Sequence, residues 1–263
     1  MLVINGVEKE LYFGNKYFLL RENASTILET IDFLSTIFNY KKCILVISNA
    51  DAKLINGFMD IIGTYPNIEL RLVSDEYPIG FNDYLVERLG YSNALILEVD
   101  KIIDIYTVLK KNQPITDKLI TVSGSAVEPK ACINVKIGSL LSEVFINNFD
   151  FTYKGVDVYL NGMMHGSVIN TLQYVIDEDI DGIIIMRKEE KIKGECINCG
   201  LCHKKCPKKL NPKYVADHYG KVRSEYKEGC LECGLCNYVC PQNRDLMQYM
   251  KEIRSNEEQK NNN

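Results

Sequence analysis

Two short stretches constrain this chain more than anything else in it. "CINCGLCHKKCP" runs from Cys196 to Pro207, and "CLECGLCNYVCP" runs from Cys230 to Pro241. Each reads C-x2-C-x2-C-x3-C-P, and together they hold eight of the ten cysteines. A [4Fe–4S] cube needs four thiolates aimed at one small volume, and three of them can come from one tight loop at this spacing. Gly200 and Gly234 follow the second cysteine of each run, where a loop wrapping a cluster needs unusual backbone angles. Pro207 and Pro241 follow the fourth and turn the chain away. Zinc ribbons use paired C-x2-C knuckles with a gap between them, and disulfides need an oxidising compartment, so neither fits as well. In two-cluster ferredoxins the fourth cysteine of each run ligates the other cluster. Applied here, one cube takes Cys196, Cys199, Cys202 and Cys240, and the other takes Cys206, Cys230, Cys233 and Cys236.

The surrounding sequence sets the compartment. The opening "MLVINGVEKELYF" has no basic segment, no long apolar segment and no small-residue cleavage site, so no secretion signal is read there. No stretch approaches the roughly 20 apolar residues of a membrane span. A reducing cytoplasm is expected, where clustered cysteines mean metal or redox chemistry. Charge is uneven along the chain. Residues 187–263 hold 16 Lys/Arg against 11 Asp/Glu, which leaves 15 against 24 for the first 186. A solvated basic surface is the plain reading, and a docking face for an acidic partner is the sharper one. No pattern of interleaved aromatic and basic residues points to nucleic acid.

Upstream of the cysteines the chain alternates two kinds of segment. "CILVIS" (Cys43–Ser48), "IELRLVS" (Ile68–Ser74) and "ALILEV" (Ala94–Val99) read as buried strands. Between them, "STILETIDFLSTIF" places Ile27, Ile31, Leu34 and Phe38 on one helical face, and Asp51 is an N-cap for "DAKLINGFMDII". "FNDYLVERL" and "KIIDIYTVLKK" are further helices. This alternation predicts an α/β layer with a mainly parallel sheet. Near Lys118 the pattern changes to two strands, Leu119–Ser123 and Ala131–Lys136, a short helix in "SLLSEVF", and later strands in "GVDVYLNG" and "GIIIMRKE". That order fits a small β-grasp-like module. "SGS" at Ser123–Ser125 and "NGMMHG" at Asn161–Gly166 read as turns.

The region from Glu189 onward is expected to be mostly helical. "NPKYVADHYGKVRSEY" lies in the 23-residue linker between the runs, with Asn211 and Pro212 as its start, and "RDLMQYMKEIRS" follows the second run. The tail "NEEQKNNN" reads as frayed. Cys43 and Cys132 fall in predicted strands and read as core residues, and His203 reads as a surface residue of the first cysteine loop. His165 and His218 have no partner visible in the sequence.

These segments together resemble the C subunit of Rnf-type electron-transport complexes, a family related to the flavin- and NADH-binding subunit of respiratory complex I and to cobalamin (corrin) reductases. "INGVEKELY" (Ile4–Tyr12) is similar to the family's "NGAECEPY", with Lys9 and Leu11 where the family has Cys and Pro. "LLRENA" stands for its "LMRE", "EYPIGFNDYLVERLG" resembles its "YPxGxEKQLIYxLTG", and "NGMMHG" stands where it has "GGPMMG". "LITVSGSAVEPKACINVKIGSLLSEV" resembles the opening of its SLBB (soluble-ligand-binding β-grasp) domain. The resemblance implies a multidomain α/β and α+β fold. Its parts would be a partial Rossmann-like parallel α/β domain over 1–116, an SLBB β-grasp domain over 117–188, and a mostly helical dicluster ferredoxin domain over 189–263. Family members also carry an N-terminal region with a glycine-rich loop that cradles the phosphate of FMN or a nicotinamide nucleotide. The chain opens after the place where that loop would end, so a shortened relative is expected. Glu8 and Glu10 are the residues left to meet a flavin.

Three functions follow in order of expectation. The first is an electron-transfer subunit that relays single electrons through two [4Fe–4S] clusters between a ferredoxin, flavoprotein or reductase partner, in the cytoplasm or peripheral on a membrane complex. The second is an NADH- or FMN-dependent oxidoreductase whose nucleotide site a partner completes. The third is an SLBB docking module with structural clusters. An electron-transfer subunit is expected ahead of a stand-alone enzyme, and no catalytic residue is named.

Overall fold

Leu2–Asn5 forms a strand, β1, with every residue buried, and its neighbours explain why. In this computed structural model, which describes residues 1–150, 154–189, 193–219, 221 and 229–251, β1 is an inner strand of a parallel sheet. β2 (Cys43–Ser48) lies on one side, with β3 (Ile68–Val73) beyond it, and β4 (Leu95–Glu98) lies on the other, giving the order β3-β2-β1-β4. Alternate residues face opposite ways. Leu2, Ile4, Cys43, Leu45 and Ile47 meet helices α1 (Asn15–Glu22), α2 (Ala24–Ile37), α3 (Ala52–Ile62) and α5 (Val99–Lys111) through Leu20, Ile27, Ile31, Leu34, Phe58 and Ile102. Val3, Ile44 and Val46 meet Leu85 of α4 (Asn82–Leu89) on the other face.

The chain's path runs outward from β1 to β3 and then crosses to β4 on the far side of β1. That reversal puts a topological switch point at the carboxyl ends of β1 and β4, the position where ligands bind in open α/β sheets. The three anticipated strands are present, but only β2 is buried nearly throughout, since β3 and β4 are the sheet's edges and are partly exposed. Asp51 caps α3 by accepting from the N–H groups of Lys53 (2.7 Å) and Leu54 (3.2 Å). One residue departs from its expected face. Phe38 lies beyond the last turn of α2 and is 62% exposed, because Asn39, at φ 52°, ends the helix there.

A second sheet follows, in the order β6-β5-β9-β7-β8. Its strands are β5 (Asp117–Ser123), β6 (Ala131–Lys136), β7 (Val156–Leu160), β8 (Ser167–Ile169) and β9 (Gly182–Arg187). β5 and β9 run parallel, and the other pairs run antiparallel. One helix, α6 (Leu141–Asn148), packs Leu141, Val144 and Phe145 against Ile120, Val122, Val158, Ile183 and Ile185. The sheets belong to one compact unit, Met1–Arg187. Thr121 Oγ1 of β5 accepts from the N–H groups of Gly14 (3.1 Å) and Asn15 (3.0 Å), at the start of α1.

The second compact unit is Lys188–Asn263. Its described helices are short: α7 (Leu201–Lys204), α8 (Pro212–Asp217), α9 (Leu235–Tyr238) and the segment 246–251. Asn211 accepts from Tyr214 N–H at 3.1 Å and Pro212 opens α8, as expected. The helix that begins there, α8, ends at Asp217. Linker residues 220 and 222–228, which include the end of the helical stretch expected there, and the tail from 252 lie outside the described residues. Phe145 is 1% exposed at the centre of the second sheet's core. Phe145→Ala is expected to destabilise the first unit by about 3–5 kcal/mol, read as a lower urea midpoint.

Candidate functional site

The two cysteine runs fold alike, residue for residue. In each, the second residue after the first cysteine has a positive φ, Asn198 at 57° and Glu232 at 53°. The glycine after the second cysteine does too, Gly200 at 72° and Gly234 at 74°. Glycine adopts this conformation without the Cβ clash that other residues meet. A single helical turn starts straight after each glycine. The third cysteines, Cys202 and Cys236, sit in those turns and share a small core with Leu246. α7 and α9 pack against each other. The N–H groups of Cys206 and Cys240 each bond the carbonyl three residues back, at 3.2 Å, closing the two loops in the same way.

This packing sorts eight thiols into two sets of four. One pocket is lined by Cys206 from the first run with Cys230, Cys233 and Cys236 from the second. The other is lined by Cys196, Cys199 and Cys202 with Cys240. Each pocket therefore takes its fourth thiol from the opposite run. Among the described residues no three His, Cys, Asp or Glu side chains close around a point as a mononuclear ion requires. Thiols spread around a pocket wall suit a larger, polynuclear body better than the tight tetrahedron of zinc. Burial pushes the Cys233 thiol up to about 11 and the Cys236 thiol up to about 12, and the neighbouring cysteines add to both shifts. Thiolates crowded this way need a cation among them, so metal binding would displace their protons.

The walls of the two pockets differ. Leu210, Leu231, Leu235, Met247 and Met250 line the first, with Lys208. Lys213, Gln242 and Arg244 line the second. Arg244 shares that wall with Cys196 and holds Asp217 Oδ1 at 3.3 Å, while Lys213 holds Asp217 Oδ2 at 2.5 Å. His203 is exposed and its Nδ1 lies 2.8 Å from the Leu210 carbonyl, so it braces the first loop. Cys43 is fully buried in the parallel sheet, and Cys132 is half-buried beside Thr121 Oγ1.

A second place of interest is the carboxyl end of the parallel sheet. Three stretches distant in sequence meet there. Asn5 donates to the Gly80 carbonyl (2.9 Å) and to Asn82 Oδ1 (2.7 Å), and Asn82 donates to Glu98 (3.2 Å). A Cβ on Gly80 would lie 2.0 Å from the Glu8 carbonyl oxygen, so only glycine lets these backbones pass. Lys9 lies over the Phe81 ring, and His165 meets that ring edge-on at 5.6 Å. Lys16, 3% exposed, pairs with Glu98 at 2.8 Å and donates to the Val7 carbonyl at 3.0 Å. Nothing in the sequence marks Lys16, because its partners lie far away along the chain.

Glu8 and Glu10 reach different surroundings. Glu8 Oε1 accepts from Tyr17 N–H at 2.9 Å, and its Oε2 is buried with no hydrogen-bond partner among the described residues. Glu10, 5% exposed, accepts from the N–H groups of Met164 (3.3 Å) and His165 (2.6 Å), so it anchors the "NGMMHG" turn. Burial raises both carboxyls to about 7 against the opposing hydrogen bonds.

Comparison with known proteins accounts for both places. Residues 1–95 match the Nuo51 FMN-binding domain, and residues 195–244 match a 4Fe-4S dicluster domain. The C subunit of the proton-translocating ferredoxin:NAD(+) oxidoreductase complex of Clostridium ljungdahlii is 26% identical over 246 residues, covering 86% of this chain and 53% of that one. The C subunit of the ion-translocating oxidoreductase complex of Haemophilus influenzae is 24% identical over 241 residues, covering 86% of this chain and 29% of that one. The chain is similar to the C subunit of ion-translocating oxidoreductase complexes. This Rnf-like character extends over most of its length, and the chain spans about half or less of the length of these relatives. The fold is shared with a chain in the H2-reduced structure of an NAD+-reducing [NiFe]-hydrogenase, at a TM-score of 0.65 and 13% identity, covering 95% of this chain and 56% of that one. The 4Fe-4S dicluster match makes iron–sulfur clusters the cofactors of the cysteine runs. Among the described residues no helix is long and apolar enough to cross a membrane.

The raised Glu10 carboxyl gives a test of this region. The native state holds the proton up to about pH 7, while the unfolded chain releases it near 4.5. Its contribution to stability is therefore full below about pH 4.5 and lost as pH climbs through 7. Glu10→Gln should flatten the fall in urea midpoint between pH 5 and pH 7.5 that the unsubstituted protein shows.

Proposed function

We propose that this chain is an electron-relay subunit of a redox complex, with one [4Fe–4S] cluster held by Cys196, Cys199, Cys202 and Cys240 and the other by Cys206, Cys230, Cys233 and Cys236. The observation that carries this reading is the sorting of the eight thiols into two pockets of four, each with one cysteine from the opposite run. Such clusters, when bound, accept and release one electron at a time. The chain's own residues supply the rest. The positive-φ turns at Gly200 and Gly234 aim the thiols, and the contact of α7 with α9 makes the two pockets neighbours. Leu246, Met247 and Met250 exclude water behind them. The three regions 1–116, 117–188 and 189–263 are read as a Rossmann-like domain, an SLBB β-grasp domain and a dicluster ferredoxin domain. The partner is another protein of a redox complex, either a small electron carrier or a reductase subunit, on the cytoplasmic side of the membrane.

A second reading has one specific observation in its favour. Residues 1–95 match an FMN-binding domain, and the switch point at the carboxyl ends of β1 and β4 lies within or beside that match. There the half-buried Glu8, with a free oxygen, and the Lys16–Glu98 pair would face a flavin that a partner chain helps to hold. Titration with FMN separates the two readings. No flavin retained, alone or with neighbouring subunits, supports the relay alone, and stoichiometric FMN supports an oxidoreductase.

The crossed pairing is tested by iron content. Anaerobically reconstituted protein should hold about eight iron atoms per chain. The double variant Cys206→Ser/Cys233→Ser removes two ligands from one set and should retain about half of that iron. Cys202→Ser/Cys206→Ser takes one ligand from each set and should disturb both clusters. The opposite order of iron retention would establish uncrossed ligation.

A further inference from the structure

The two thiol pockets are alike in ligand number and unlike in charge. The pocket of Cys206, Cys230, Cys233 and Cys236 is walled chiefly by leucine and methionine, with Lys208 as its cationic side chain. The pocket of Cys196, Cys199, Cys202 and Cys240 has both Lys213 and Arg244 in its wall. Arg244 and Cys196 line it together. Arg244 is not free to swing away. Its Nη1 and Nη2 lie 3.4 and 3.3 Å from Asp217 Oδ1, and Lys213 takes the other oxygen of that carboxylate at 2.5 Å. Two cations share one anion, so a net positive charge remains beside the thiol. The Arg244 side chain is only 22% exposed, which limits screening by solvent.

Reduction of a [4Fe–4S] centre adds one electron and exchanges no atoms, so whatever favours the extra negative charge raises the potential. Hydrogen bonds to the ligating sulfurs and nearby positive charge do so, while an apolar wall does the reverse. We infer that Arg244, positioned by Asp217, makes the two centres unequal and sets the one bound by Cys196, Cys199, Cys202 and Cys240 at the higher potential. This rests on the relay reading above. Electrons delivered to the pair would then rest at the centre that includes Cys199, the exposed cysteine of the eight. Arg244 is a positioning and tuning residue, since it acts through Cys196 and binds no iron.

The test is an EPR-monitored redox titration of the reconstituted full chain, with dithionite as reductant. Two midpoint potentials are expected. Arg244→Leu should lower one of them enough to change the electron's partition between the centres about tenfold, which is about 59 mV for a one-electron couple, and leave the other in place. Arg244→Lys should restore most of the difference. In the Cys206→Ser/Cys233→Ser background, which keeps the Arg244 pocket, the single remaining signal should move. If the leucine variant loses iron, Arg244→Gln, which keeps a donor and drops the charge, carries the same comparison. Full iron content with unchanged potentials in these variants overturns the inference. Failure of the unsubstituted chain to take up about eight iron atoms counts instead against the relay reading itself.

Discussion

Crowded thiols govern the second unit. Four cysteines facing one pocket repel each other once ionised, and burial makes the anionic form harder still, as the raised Cys233 and Cys236 thiols record. Such a set is at ease only around positive charge. The short helices, the left-handed turns and the thin core of Leu246, Met247 and Met250 would amount to little without it. The basic balance of residues 187–263 follows the same logic. A segment that gathers eight thiolates is electrostatically tolerable when lysine and arginine surround them.

The first unit solves a different problem with buried charge. Lys16 sits almost without solvent between Glu98 and the Val7 carbonyl, and Glu8 and Glu10 keep their protons near neutrality because water is excluded. Removing one member of such a group leaves another uncompensated, so these side chains constrain one another. They also draw the ends of β1 and β4, the Gly80 loop and the Met164 turn to one point. The parallel sheet thereby acquires a rigid carboxyl edge, at the place where open α/β sheets bind their ligands.

Much of this was legible in the sequence, for identifiable reasons. β2 and β6 have the predicted bounds, and β3 and β4 differ by a residue or so, because unbroken or alternating apolar runs bounded by turns leave few options. Asp51 caps as its position predicts. β1 is a four-residue strand at the extreme start, and β8 is a three-residue, largely exposed edge strand, so neither offers enough residues for a period to show. α1 is harder still. Its buried side includes Asn15 and Lys16, so the usual apolar stripe is missing. Phe38 continues the pattern of α2 one position too far, since periodicity does not announce where Asn39 turns. The eight cysteines stand out by their spacing, but the placement of Arg244 in one pocket with Cys196, 48 residues away, has no local signal.

The exchange of one cysteine between the runs has a consequence for assembly and damage. Neither run lines a complete pocket by itself, so both runs must be folded before either pocket closes. The 23 residues from Pro207 to Gly229 act as a tether that keeps the two halves at high local concentration while this happens. The same interlock works in reverse. An oxidant that reaches the exposed Cys199 strikes the pocket that Cys240 of the other run also lines. Injury there then touches a residue of each run, while the pocket of Cys206, Cys230, Cys233 and Cys236 keeps all of its thiols.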